Sequence, residues 1–153
     1  SIIRQESVFD QLAISGAEAR GLMQIIKPTA CDTAKLVGVR CRISKLTTDP
    51  NYNIKLGSAY INQMINDYDG SYILAIASYN GGPHNVNKWV KRFGDPRLMK
   101  NHRNVLNWLE HIPFHETRNY VQRVLENLQI YRSIMDKDSK FRLSDDLLNI
   151  KKV

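Results

Sequence analysis

The chain has 153 residues, enough for one domain with a substantial core, and 42% of them are hydrophobic. There are 22 Lys and Arg against 15 Asp and Glu, a formal net charge of +7. That excess favours a polyanionic partner (nucleic acid, an anionic membrane surface or an acidic polysaccharide) without choosing among them, and no run approaches the roughly 20 apolar residues that a bilayer-spanning helix needs.

Helical periodicity predicts the elements in turn. Ile2, Glu6, Phe9 and Ala13 recur at four, three and four residues, which stacks them on one face of a first helix over 1–13. Three of the four are apolar, so the Glu6 carboxylate shares the inward face. Burial disfavours its charged form and equips it to donate a proton near neutral pH. A helix-end glutamate that bends out to water or pairs with a nearby Arg is the structural alternative. Pro28 suits the first turn of a second helix running to about Val37, with Gly38 placed to end it. Asp49-Pro50 supplies an N-cap acid and a proline at the first helical position. The helix it opens carries Leu56, Ile61, Met64, Ile65 and Tyr68 before Asp69-Gly70 stops it. Gly57 inside that helix costs about 1 kcal/mol relative to Ala, which points to close approach of another backbone.

Ser71 then caps Tyr72-Ile73-Leu74-Ala75-Ile76-Ala77, a segment apolar on every side and therefore a central, buried helix. A short strand is the alternative, disfavoured by the flanking helices and the two alanines. The segment ends at Tyr79-Asn80-Gly81-Gly82-Pro83. Val86, Trp89, Val90 and Phe93 mark the next helix, and Leu106, Trp108 and Leu109 another before Pro113. The longest runs from about His115 to Met135, with Val121, Val124, Leu125, Leu128, Tyr131 and Met135 expected on its core face. Residues 136–153 are charged, with Leu147-Leu148 and Ile150 as a candidate short docked helix. The pattern reads as one all-α domain over 1–135 with a C-terminal extension over 136–153. Ser1 already lies inside a structured segment, so the chain reads as an excised domain or processed product.

The two cysteines, Cys31 and Cys41, form no CxxC and have no His at ligand spacing, which argues against a structural metal. A local disulfide in an oxidising compartment and a pair of partly buried free thiols both stand open. Asp67-Tyr68-Asp69-Gly70 faintly resembles a calcium loop, but that frame puts Ile65 and Ile76 at the terminal ligand positions and leaves too few oxygens.

Several pieces coincide in order and spacing. Glu6-Ser7 is followed by Ser15, Gly21-Leu22-Met23-Gln24 and Thr29-Ala30. Then come Asn53-Ile54-x-x-Gly57-x-x-Tyr60, Tyr79-Asn80-Gly81-Gly82-Pro83 and Ile112-Pro113-Phe114-x-Glu116-Thr117-Arg118-x-Tyr120-Val121. Over about 1–135 they resemble the catalytic domain of the soluble lytic murein transglycosylases, bacterial relatives of goose-type lysozyme. The resemblance implies a lysozyme-like helical fold, no cofactor and no metal, peptidoglycan glycan strands as the partner, and the periplasm or cell envelope as the location, within a longer parent chain. It implies cleavage of the β-1,4 bond between N-acetylmuramic acid and N-acetylglucosamine, leaving a 1,6-anhydromuramyl end, with Glu6 as the single acid/base. Glycosidases ordinarily use two carboxylates. When the substrate's own N-acetyl oxygen attacks the anomeric carbon, the second becomes dispensable. A Glu pKa raised to roughly 6 suits that role, and Ile2 and Phe9 are apolar neighbours of the right kind.

On the same resemblance Ser15 and Gln24 bind around the muramyl N-acetyl group and the glutamate; a turn serine and a surface amide are the structural alternatives. The Tyr79 hydroxyl reaches the glutamate or orients the N-acetyl group, or else Tyr79 is a core aromatic with a satisfied hydroxyl. Asn80 contacts substrate, or else caps its helix. Glu116 and Arg118 line the groove, or else serve as a dipole-favoured first-turn acid and a structural ion pair. Tyr120 is expected to pack and Asp10 to face solvent. The family commonly has Gly at the position of Glu18, Met-Pro where this chain has Ile26-Lys27, and Ala at the positions of Ser78 and Gly81. Hydrolytic muramidase action on the same fold and an inert peptidoglycan-binding module are the competing readings. A nucleic-acid partner is not expected, because no recognition helix gathers Arg and Lys.

Overall fold

The computed structural model describes residues 1–136 and 140–149. They form nine α-helices and one 3₁₀ turn: α1 Ile2–Glu6, α2 Lys27–Leu36, α3 Lys45–Thr48, α4 Pro50–Asp67, α5 Tyr72–Gly81, α6 Pro83–Phe93, the 3₁₀ turn Pro96–Leu98, α7 His102–Glu110, α8 His115–Met135 and α9 Leu143–Leu147. No strand forms among the described residues; two isolated antiparallel bridges, Ile14 with Arg20 and Arg20 with Ile25, shape the loop between α1 and α2. The fold class is all-α, as the periodicity predicts. Two compact units are present, Ser1–Gln63 and Met64 onward, and their division falls inside α4.

In the first unit, Met23, Ile25, Ala30, Ala34, Leu46 and Leu56 are buried. Asp49 opens α4 as expected, its Oδ1 accepting the Tyr52 backbone N–H at 3.1 Å, which satisfies one of the orphan donors of the first turn. Gly57 has a different cause from the one its sequence suggests: a Cβ there would run into the Met23 side chain, not into another backbone. Cys31 and Cys41 are joined in a disulfide across a sequence separation of 10, Cα to Cα 4.8 Å. Tyr52 steadies the backbone on both sides of Cys41 by donating to the Arg40 carbonyl at 2.8 Å and accepting the Arg42 N–H at 3.0 Å.

The second unit is built round α5. Ser71 caps it by accepting the Leu74 N–H, and Ile73 through Ser78 are all buried. Each large aliphatic side chain removed from water in this way contributes about 1.5–3 kcal/mol. α6, α8 and α9 pack against α5, supplying Val86, Trp89, Val121, Val124, Leu125 and Leu147. α9 is held by Asp146, whose carboxylate accepts from Gln129 at 2.7 Å and from the Arg132 guanidinium. Along α8, Val121, Val124 and Leu125 face inward as predicted, while Leu128 and Tyr131 are half-buried. Met135 departs from the expectation at 84% exposed, with Ile134 at 65%, because the last turn of α8 outruns the core beneath it. Of the predicted terminal helix, Leu147 is buried and Ile150 lies outside the described residues.

Candidate active site

Glu6 is the last residue of α1 and is half-buried. The helix stops there rather than at residue 13. Val8 and Phe9 take φ of 52° and 67°, the left-handed region that a β-branched or bulky residue enters only under strain, at a cost of order 1–3 kcal/mol. Ser7 explains what holds the chain in that shape: its Oγ–H donates to the Leu22 carbonyl at 2.9 Å and lies 3.3 Å from the Ile3 carbonyl. The end of α1 is thereby tied to the Gly21–Gln24 loop. Phe9 is consequently 54% exposed and does not share the Glu6 helix face. Asp10 is exposed as expected, its Oδ1 accepting the Leu12 N–H at 2.8 Å.

The loop from Ser15 to Gln24 is folded by side chains acting on backbone. Ser15 Oγ accepts the N–H groups of Ala17 and Ala19 at 3.2 and 3.1 Å, so its hydrogen remains as a donor. Glu18 sits at φ 60° and pairs with Arg20, a backbone conformation that glycine would adopt without strain. Gln24 donates through Nε2 to the Ala13 and Gly21 carbonyls at 3.1 and 2.9 Å, leaving Oε1 as the group it can offer outward. Gly21, at φ 73°, approaches Leu46 so closely that a Cβ would meet its carbonyl oxygen and the Asn53 amide. Asn53, fully buried, accepts the Met23 N–H at 2.9 Å and donates to the Arg20 and Leu46 carbonyls at 2.9 Å each. This residue clamps the loop, a role that the sequence reading did not assign it.

In the second unit, Tyr79 and Asn80 are half-buried at the C-terminal end of α5. Thr117, in the first turn of α8 and 2% exposed, donates to Asn80 Oδ1 at 2.7 Å. Asn85 donates to the Gly81 carbonyl at 2.8 Å, closing the turn into α6. Glu116 is exposed in the first turn of α8, where the helix dipole favours an acid. Arg118 is turned toward protein: it donates to the Glu110 carbonyl at 2.9 Å, sits 3.7 Å from the Glu110 carboxylate and contacts His115. It latches the end of α7 to the start of α8. Tyr120 is buried in packing, as expected. Of the predicted residues, Glu6, Ser15 and Gln24 belong to the first unit and Tyr79, Asn80, Glu116 and Arg118 to the second. Among the described residues no cluster of three or more His, Cys, Asp or Glu is arranged to hold a metal ion, and no helix is long and apolar enough to cross a membrane.

The sequence matches the family model described as "Transglycosylase SLT domain" over residues 1–101. The chain belongs to the transglycosylase SLT domain family. A second model, "Soluble lytic transglycosylase helical domain", matches residues 111–140. The SLT chain is similar to the soluble lytic murein transglycosylase of Escherichia coli, 34% identical over 136 residues that make up 88% of this chain and 20% of that protein. Among solved structures it is similar to an inactive Glu-to-Gln mutant of lytic transglycosylase Slt from Pseudomonas aeruginosa, with a TM-score of 0.80 at 36% identity over 94% of this chain and 22% of that one. It is also similar to the 70 kDa soluble lytic transglycosylase from Escherichia coli, with a TM-score of 0.82 at 32% identity over 95% of this chain and 23% of that one. The SLT chain thus spans about a quarter or less of the length of the relatives it matches. Its helical architecture is that of these lysozyme-like neighbours.

Proposed function

We propose that residues 1–135 are the catalytic domain of a peptidoglycan lytic transglycosylase, with 136–153 an extension of it. The domain cleaves the β-1,4 bond between N-acetylmuramic acid and N-acetylglucosamine and leaves a 1,6-anhydromuramyl end. Glu6 is its acid/base. The observation that carries the reading is the setting of Glu6: a half-buried carboxylate at a helix end, with Ser7 bonded to the Leu22 carbonyl and the Gln24 loop clamped by Asn53, in a chain that matches the SLT domain from residue 1 onward.

The chemistry needs one carboxyl used twice. Protonated Glu6 gives its proton to the glycosidic oxygen of the departing N-acetylglucosamine while the muramyl N-acetyl oxygen bonds to C1 and the C1–O bond breaks. The Glu6 carboxylate then takes the proton of the muramyl C6 hydroxyl as O6 closes onto C1 and displaces the acetamido oxygen. Glu6 ends protonated again and no water is consumed. Ser15, Gln24, Tyr79 and Asn80 serve as substrate-binding groups. Glu116, exposed, is the better placed groove residue of the Glu116–Arg118 pair, since the Arg118 guanidinium is engaged by Glu110 and His115. The inactive Glu-to-Gln form of the Pseudomonas aeruginosa relative supports a mechanism resting on one glutamate. The Cys31–Cys41 disulfide supports residence in an oxidising compartment, the periplasm or cell envelope, and the net charge of +7 suits an acidic wall polymer. The relatives it matches are several times its length, which supports a longer parent chain around this domain.

The test is Glu6→Gln assayed on purified sacculi, with products weighed by mass spectrometry. The wild-type chain is expected to release muropeptides lighter by one water than reducing-ended ones. Glu6→Gln is expected to lose at least a hundredfold in rate, the contribution general acid–base catalysis typically makes, and still to sediment with sacculi. Reducing-ended products alone would sink the transglycosylase reading in favour of hydrolysis, and surviving lysis in Glu6→Gln would sink the site.

A further inference from the structure

Of the Glu116-Thr117-Arg118 triplet, Thr117 alone is withdrawn from solvent, and its hydroxyl is spent on Asn80 Oδ1 at 2.7 Å. An amide side chain has an acceptor end and a donor end of nearly equal size, and a hydroxyl can bond either one; here the Thr117 hydroxyl donates to the acceptor end. With Oδ1 occupied, Asn80 presents Nδ2 and its two N–H donors. That group has no protein partner among the described residues, and it is not one of the buried polar atoms lacking a bond, so it is open to solvent. The room for this arrangement comes from Gly81. A Cβ at that position would lie 3.0 Å from Thr117 Oγ1, 3.1 Å from its Cγ2 and 3.0 Å from the Trp89 ring, pressing directly on the side chain that holds Asn80.

We propose that Thr117 is a positioning residue that fixes the Asn80 amide with its donors outward, so that this position reads a carbonyl acceptor of the kind a sugar acetamido group carries. The inference rests on the reading of the chain as a glycan-cleaving domain. Thr117 touches no substrate itself. It acts through Asn80, which without it is free to rotate and offer either end.

Thr117→Val keeps the shape and removes the hydroxyl; Thr117→Ser keeps the hydroxyl and removes the methyl. On soluble peptidoglycan fragments Thr117→Val is expected to lower kcat/KM about tenfold, the weight of one well-made hydrogen bond, and Thr117→Ser to restore it. In an Asn80→Ala background Thr117→Val is expected to cost nothing more, because a positioning residue has no effect without the group it positions. A second readout is independent of turnover: the side-chain amide resonances of Asn80 should shift in Thr117→Val and return in Thr117→Ser. An equal loss in the Asn80→Ala background, or amide resonances that do not move, would overturn the proposal and leave Thr117 a packing residue. Inactivity of the unmutated chain would strike the functional reading instead, and the resonances would still decide the positioning.

Discussion

Asn53 commits its whole amide to three backbone groups, and that makes it the residue on which the Glu6 loop most depends. Asn53→Ala leaves the Met23 N–H and the Arg20 and Leu46 carbonyls buried without partners. At about 1–3 kcal/mol for each orphaned group, the variant is expected to lose about 3 kcal/mol or more, read as a lower urea midpoint at unchanged slope. Ser78 makes the opposite case. It is fully buried, and its hydroxyl has no partner among the described residues. Ser78→Ala is expected to gain about 1 kcal/mol in the same titration. Neither effect is legible in sequence. Asn53 and Thr117 stand in plain view within the motifs, but their partners lie 30 and 37 residues away, and periodicity reports only neighbours on one face of one helix. Glu6, Ser15, Gln24, Tyr79 and Asn80 were legible as candidates; the groups each side chain has left over for a ligand were not.

At the scale of elements, the helices that carry their own start and stop signals are where the sequence puts them. Asp49-Pro50 opens α4, Ser71 opens α5, and Gly38 follows the end of α2. The first helix is the instructive failure. Its apolar spacing continues to Ala13, yet the chain leaves the helical region at Val8 because the Ser7 hydroxyl is drawn to Leu22, fifteen residues on. A long-range bond overrides local periodicity there, and it does so beside the candidate catalytic carboxylate. The Cys31–Cys41 bridge is a second feature that spacing leaves open and geometry decides. Closing a loop of this length removes enough unfolded-state freedom to stabilise the fold by about 2–3 kcal/mol. The Cys31→Ser, Cys41→Ser double variant is therefore expected to be less stable by that amount and to melt at a lower temperature. Dithiothreitol should produce the same fall in the wild-type chain and none in the double variant.

Across the whole molecule, the resolved electrostatics predict acid sensitivity. The Arg97 guanidinium hydrogen-bonded to Asp95 holds that carboxyl below the usual carboxylate range, against the opposing effect of its partial burial. A carboxyl whose folded pKa lies below its unfolded value stabilises the fold above about pH 4, and that contribution is lost as pH falls through the folded value. The stability gap between wild type and Asp95→Asn is expected to be open at pH 7 and to close in acid, which thermal melts across a pH series measure. An all-α chain with a buried central helix was legible from composition and periodicity. The division into two compact units inside α4 was not, because an uninterrupted helical pattern carries no mark of where packing changes partners.

On the proposed reading, the turn at Ser15 has a consequence for which wall polymers this domain would accept. Both lone pairs of that hydroxyl are occupied by Ala17 and Ala19, so it can only donate, while Gln24, its Nε2 held by two carbonyls, can only accept through Oε1. One donor and one acceptor complement an acetamide, which has one of each. A sugar stripped to its free ammonium brings donors alone and leaves the serine facing a group that cannot receive its proton. On the proposed reading, deacetylation of the wall polymer is a form of resistance written against this loop.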